Sequence, residues 1–423
     1  MSRSETIRPT NGLALFYAMM AGQFVSFLGS GLTAFALGVW VYQETHSVTR
    51  FGAAIACRSI PFVVLSPLAG SLIDRWDRRK GLIAAESLAS TGTLAVLALL
   101  SAGWLRTWHV YPVIVVSAIA HTYRNTALNS VATVLVPSKD LGRAAVAPTI
   151  TQAAEQLVPP LLCPYLLLAI DLRGVLLLDF VSFSVALLPL VLVRIPAAPK
   201  GEGALAQGLL GDIRFGFRYI GERPGLLGLV SFAVVINFAL CAAETLLTPY
   251  VLDMVPSPEE GRVILGRVLF CCGMGVLVGS VLMGIWGGPR RRVLAVYAFG
   301  AVYAASFVLA GLQRSAVLIA AAGFAIMFSV TLVKTTNLAI WQSKVAADVQ
   351  GRVFGAITMI AWCVAPVAQL SAGPLVALLG GHTRGNSLLF VTLGFVLMVM
   401  VGVTFFHPRI RNIEDELPEL GSP

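Results

Sequence analysis

Stretches of about twenty consecutive apolar residues recur from one end of this 423-residue chain to the other, and an α-helix of about that length crosses the roughly 30 Å hydrocarbon core of a bilayer. Only 12% of the residues are charged and 57% are hydrophobic, where a soluble domain carries about a quarter charged residues. Backbone N–H and C=O groups in lipid have no water to bond, so each run must close its hydrogen bonds internally as a helix. The fold class expected is therefore all-α integral membrane. Twelve spans are predicted, at roughly 14–43, 50–73, 81–104, 110–136, 144–169, 174–194, 225–252, 263–286, 293–312, 315–341, 352–379 and 387–406. The first run, Leu13 to about Gln43, is too long for the apolar core of a signal peptide and is expected to stay as the first span.

The net charge of +9 does not point to nucleic acid, because the cations sit in short segments between apolar runs and not on one basic face. They point to topology. With the N-terminus inside, 20 of the 30 Lys and Arg residues fall in cytoplasmic segments and 7 outside, leaving Arg58, Arg124 and Lys334 within spans. That bias places both termini in the cytoplasm and, for a bacterial protein, the chain in the cytoplasmic (inner) membrane. All six cysteines lie within apolar runs, where they are expected to serve as small buried hydrophobes and not as a disulfide or metal framework. No phosphate-binding loop, metal-ligand spacing or catalytic constellation is present, so no cofactor, metal or enzymatic activity is expected.

A long connection at 195–223 divides the chain into an N-terminal six-helix half (1–194) and a C-terminal one (224–406), followed by a cytoplasmic tail (407–423). After the Pro-rich IPAAPKGEG, the connection continues LLGDIRFGFRYIGER, in which Leu209, Ile213, Phe217 and Ile220 recur at helical spacing beside Arg214 and Arg218. That pattern predicts an amphipathic helix at the inner membrane surface. The arginine pairs Arg78–Arg79 and Arg291–Arg292 lie 213 residues apart, about half the chain, and mark an internal repeat. Two similar halves with a site at their interface is a transporter layout.

The most polar turn of the chain is GSLIDRWDRRK, after the second span. Gly70, Asp74, Arg75, Arg78 and Arg79 there match the signature loop between spans two and three of the major facilitator superfamily, and GGPRRRV after span eight is a degenerate second copy. The chain resembles that family over its full length. WVYQETHSVTRFG, LVPSKDLGRA, LLLDFVSFSVALLPLVLVRIP and DIRFGFRYIGERPGL are similar to bacterial drug and siderophore exporters of the macrolide-efflux and enterobactin-exporter type. The resemblance implies two pseudo-symmetric six-helix halves. It also implies a conformational latch at the cytoplasmic side, in which Gly70 admits a neighbouring helix and Asp74 meets the start of span eleven near Arg352. In the same exporters a Gly- and Pro-rich span five works against span eight. Here those spans carry Pro159, Pro160 and Pro164, and Gly273, Gly275, Gly279 and Gly284.

An ionisable side chain at the bilayer centre costs at least about 2.5–3.5 kcal/mol, so each needs a reason. Arg124, Glu155 and Glu244 fall near mid-span, Arg58 and Glu86 nearer the ends, and Lys334 in the inner half of span ten. Family geometry puts spans one, four, seven and ten around the cavity. Glu244 or Glu155 is the expected carrier of a coupling proton, with Arg124 modulating it and His121 either a second carrier or a polar cavity residue. The same acids could instead pair with Arg124 merely to order helices four, five and seven. Gln23, Phe27, Asn125, Asn129, Asn237, Lys334 and Trp341 are candidates for lining a substrate cavity.

The function implied is proton-coupled export of small amphipathic molecules by alternating access. Its partners would be substrate, protons and membrane lipid, with no nucleic acid, and the unit a monomer. A uniporter or importer of a metabolite competes with that reading. So does a non-transporting receptor or lipid-handling protein on the same fold.

Overall fold

The computed structural model describes residues 12–75, 77–136, 146–192, 209–289, 291–345 and 349–406, with the side chains of 12, 14, 66–75, 78, 129–130, 132–134, 146, 149, 153, 156, 192, 209–210, 212–213, 224, 350–351 and 382–383 outside the described set. Fourteen α-helices occupy these residues: α1 (Gly12–Thr45), α2 (Val48–Arg75), α3 (Arg78–Ser101), α4 (Thr107–Leu135), α5 (Val146–Ala169), α6 (Asp171–Leu192), α7 (Leu209–Gly221), α8 (Pro224–Leu252), α9 (Pro258–Trp286), α10 (Arg292–Leu312), α11 (Ala316–Lys344), α12 (Gln350–Trp362), α13 (Val364–Leu378) and α14 (Gly381–Phe406). Each of the twelve expected spans coincides with helix. The eleventh differs from expectation: it is two helices, α12 and α13, meeting at Cys363. Pro366, which has no N–H to give Trp362, follows directly on this break. Ten described helical stretches, α12 and α13 taken together as one, are long and apolar enough to cross a membrane. The fourth and fifth spans complete the set of twelve and carry the polar residues discussed below.

The chain forms two compact units. One comprises the described residues of Met1–Trp40 and Cys57–Leu205, the other Val41–Ala56 and Ala206–Pro423. In the first unit, Phe16, Met19 and Phe27 of α1 pack with Leu82, Ala85 and Ala89 of α3, Ala120 and Leu128 of α4, and Phe183 and Leu190 of α6. Small residues set the spacing. The ring of Tyr123 lies over Gly81, where any added Cβ would collide with its hydroxyl.

The second unit takes in the C-terminal end of α1 and the start of α2. Tyr42 Oη donates to Asp253 Oδ2 at 2.7 Å, and Arg262 Nη2 donates to Gln43 Oε1 at 2.9 Å. Gly52 abuts the Gln369 carbonyl, and Gly373 abuts the backbone of Thr49. Gly275 and Gly279 of α9, expected to serve span five, make their close approach to the backbone of α11 at Phe324 and Phe328.

The amphipathic helix is present as α7, and it packs on α12 within the second unit. Of the expected apolar stripe, Leu209 and Ile213 lie outside the described side chains, and the other two members differ from each other. Gly216 and Ile220 are buried, whereas Phe217 is exposed with Arg214 and Arg218. A Cβ on Gly216 would meet Ala356 Cβ at 2.5 Å and Arg352 O at 2.8 Å, so glycine sets the helix separation. Arg218 Nε donates to Glu222 at 2.7 Å, which holds that carboxyl below its ordinary range.

Candidate functional site

The signature turn divides its work among several backbones. Asp77 is the N-cap of α3, its carboxylate accepting from the backbone N–H groups of Arg79 and Lys80 and so satisfying two of the orphan donors of the helix start. Arg79 reaches the other end of a neighbour, donating from Nε to Leu190 O at 2.7 Å and from Nη2 to Val191 O at 2.5 Å. Those are last-turn carbonyls of α6, which lack partners within their own helix. Arg79 thereby ties α3, whose start Asp77 caps, to α6 inside the first unit. Gly70, Asp74, Arg75 and Arg78 belong to the stretch whose side chains lie outside the described residues. Arg352, their expected counterpart, has its guanidinium over the Phe215 ring of α7 at 4.8 Å.

A polar seam runs through the otherwise apolar interior of the first unit. On α4, His121, Arg124 and Asn125 sit at i, i+3 and i+4, so they share a face. On α1, Gln23, Ser26, Phe27 and Ser30 do the same. Arg124 is fully buried and donates from Nη1 to Glu86 Oε2 at 2.9 Å and to Ser26 Oγ at 2.7 Å. Its Nη2 reaches Ser30 Oγ at 3.3 Å, and its guanidinium covers the Phe27 ring at 4.6 Å. Ser26 also donates to Glu86 at 3.1 Å. The arginine expected to act with carboxylates of spans five and seven is therefore paired to span three. Glu86 has become its counter-ion.

Glu155 has a different partner. His121 Nε2 lies 2.9 Å from its carboxylate, and Arg58 Nη2 lies 3.5 Å away. The Glu155 side chain is 8% exposed, His121 26% and Arg58 55%, so the cluster grades from the interior to the surface of the unit. The edge of His121 meets the Phe27 ring at 5.0 Å. Phe27 thus separates the Arg124–Glu86 pair from the His121–Glu155 pair, although the charge of Arg124 still reaches Glu155. Glu155 opens onto a cleft lined by Met20, Phe27, Asn125, Leu128, Pro148, Thr151 and Gln152, in which Gln152 donates to Asn125 at 2.9 Å. Gln23, one turn before Phe27, is fully buried with its amide unbonded. Asn129 lies outside the described side chains.

The remaining candidates lie in the second unit. Glu244 and Lys334 interact electrostatically, and Lys334 Nζ stands 5.0 Å from the Trp362 ring centre. Trp341 and Asn237 are buried, and Asn237 Oδ1 has no hydrogen-bond partner. Sequence reasoning gave Glu86 no role and passed over Asp179, a 1% exposed carboxylate that accepts from Thr93 Oγ1 at 2.9 Å. A lone aspartate inside the apolar run LLLDFVSFS was the available signal.

Twelve spanning helices with ionisable groups held mid-membrane define a polytopic transporter. The family model described as Major Facilitator Superfamily matches residues 19–369, and the chain belongs to that superfamily. Among curated relatives it is 25% identical over 359 residues to "Macrolide efflux protein A" of Streptococcus pyogenes, covering 84% of this chain and 87% of that protein. It is 23% identical over 414 residues to "Multidrug efflux pump Tap" of Mycolicibacterium fortuitum, covering 95% and 96%. Among solved structures, a bacterial homologue of the human lysosomal transporter Spinster superposes with a TM-score of 0.74 at 12% identity, over 97% of this chain and 99% of that one. The nucleoside transporter NupG does so at 0.66, 12% identity, 92% and 98%. These structural likenesses define the fold: two sets of six helices in the major facilitator arrangement.

Proposed function

We propose that this protein is a proton-coupled exporter of small amphipathic molecules, working by alternating access in the bacterial cytoplasmic membrane as a monomer with both termini in the cytoplasm. The observation that carries the reading is Glu155: an almost buried carboxylate, hydrogen-bonded to His121, in the wall of an apolar and aromatic cleft. A carboxylate so placed can exchange a proton against substrate, because each occupant changes what the other meets. His121 and Arg58 set how readily Glu155 holds its charge, and Arg124 acts on it from behind Phe27. Met20 and Phe27 supply apolar contact, and Asn125 and Gln152 supply hydrogen bonds. Glu244 and Lys334 form a second charged pair available to the cycle, beside Trp341 and Asn237. The signature turn acts as the cytoplasmic latch. Efflux-pump relatives at about a quarter identity support the direction of transport.

The test uses inverted membrane vesicles with an acidified lumen and a panel of amphipathic drugs. Drug addition is expected to release lumenal protons, and Glu155→Gln to abolish that release and uphill accumulation while downhill exchange persists. Undiminished uphill transport by Glu155→Gln would remove Glu155 from the mechanism.

A further inference from the structure

The core of the first unit contains an uneven number of charges. Arg124, Glu86 and Asp179 are each 0–1% exposed, and the charges of both Arg124 and Glu86 reach Asp179. With both acids ionised, one cation would face two anions, leaving a net buried negative charge. A buried charge without a partner costs several kcal/mol, whereas a neutral carboxyl that keeps its hydrogen bonds costs far less.

The hydrogen bonds decide which acid is neutral. Glu86 Oε2 accepts from the Arg124 guanidinium and from Ser26, as an ionised carboxylate does. Its other oxygen, Oε1, is buried with no hydrogen-bond partner, so nothing is placed there to take a proton from it. Asp179 is held by no cation among the described residues. Its Oδ2 accepts from the Thr93 hydroxyl, and Ser182 Oγ stands at 3.5 Å from Oδ1 while donating to the Asp179 backbone carbonyl at 2.7 Å. The remaining ionisable groups nearby, His121, Glu155 and Arg58, satisfy one another beyond Phe27. We propose that Asp179 is a protonation site in its own right, carrying an occluded proton in this conformation.

Helix α1 is the cover of that site. A Cβ on Gly29 would overlap Ser182 Oγ and lie 2.9 Å from Asp179 Oδ1, so the bare backbone of α1 closes over the carboxyl. Separation of α1 from α6 would admit water and let the proton leave, after which Arg124 would stand between two carboxylates. On the reading of the protein as a proton-coupled exporter, Asp179 is then a second proton site, distinct from Glu155. The occluded proton itself does not depend on that reading.

Infrared spectroscopy of the purified, full-length protein in liposomes at neutral pH tests this. A protonated-carboxyl C=O band is expected in the parent protein and in Glu155→Gln, and it should be lost in Asp179→Asn. Carbonyl-¹³C aspartate labelling checks the assignment without any substitution and should shift the band, whereas glutamate labelling should not. Absence of the band in the parent protein, its persistence in Asp179→Asn, or a shift on glutamate labelling would each overturn the proposal. None of these outcomes bears on whether Glu155 couples transport, which the vesicle experiment reads separately.

Discussion

Replacing Arg124 by methionine keeps much of the side-chain volume and removes the only cation bonded to Glu86 among the described residues. Glu86, 0% exposed, then has two options. It can remain an unpaired buried anion, at about 3–5 kcal/mol. It can instead take up a proton, which at pH 7 costs about 3.7 kcal/mol, since an ordinary glutamate titrates near 4.3 and each unit is worth 1.36 kcal/mol. The two routes converge on about 4 kcal/mol, to which loss of the cation–π contact with Phe27 adds about 1 kcal/mol. Removing both partners in Arg124→Met/Glu86→Met leaves no charge to compensate and should recover most of this loss. Thermal unfolding in detergent is the assay: a large fall for the single variant and near-recovery for the double. The folded single variant holds a proton that the unfolded chain releases at neutral pH, so its deficit should shrink by about 1.4 kcal/mol per unit as pH falls from 7 towards 5. An Arg124→Met protein as stable as its parent at pH 7, or a double variant worse than the single, would refute the idea that the pair is mutually dependent.

Other consequences follow from single contacts. Asp77→Ala removes the N-cap of α3 and should lower stability by about 1 kcal/mol, read by thermal unfolding, with Asp77→Asn retaining most of it. Gly216→Ala forces α7 away from α12 and should cost about 1–3 kcal/mol; unchanged melting would mean the two helices are not pressed together at that point. Tyr42→Phe deletes the hydroxyl bond to Asp253 and should weaken the hold on the C-terminal end of α1 by about 1 kcal/mol. It should therefore raise the labelling rate of a cysteine placed at exposed His46.

The spans were legible because lipid leaves the backbone no alternative to helix, and twenty apolar residues in a row have little other use. The break in the eleventh span was not, since Pro366 inside an apolar run is equally compatible with a bent continuous helix. Charges could be located along each span but not around it. Arg124 was placed near mid-span and on a cavity-lining helix, yet it is fully buried and its partner came from span three, because facing depends on helix rotation that one sequence does not fix. His121, Arg124 and Asn125 were recognisable as one polar face at i, i+3 and i+4 spacing, and the structure brings His121 and Asn125 together with Glu155. Asp179 escaped attention inside a run so apolar that its neighbours read as a span and nothing more. In the signature turn, the aspartate that caps α3 was indistinguishable by sequence from one reserved for motion.

The central claim is exchange of a proton for substrate at Glu155, and its most direct test is flux by the purified protein in liposomes. A substrate gradient is imposed with no pH gradient, and internal pH is followed. Coupled export predicts proton movement opposite to substrate flow in the parent protein and substrate flow without pH change in Glu155→Gln. Substrate moving through the parent protein with no pH response would contradict it and leave a uniporter in its place.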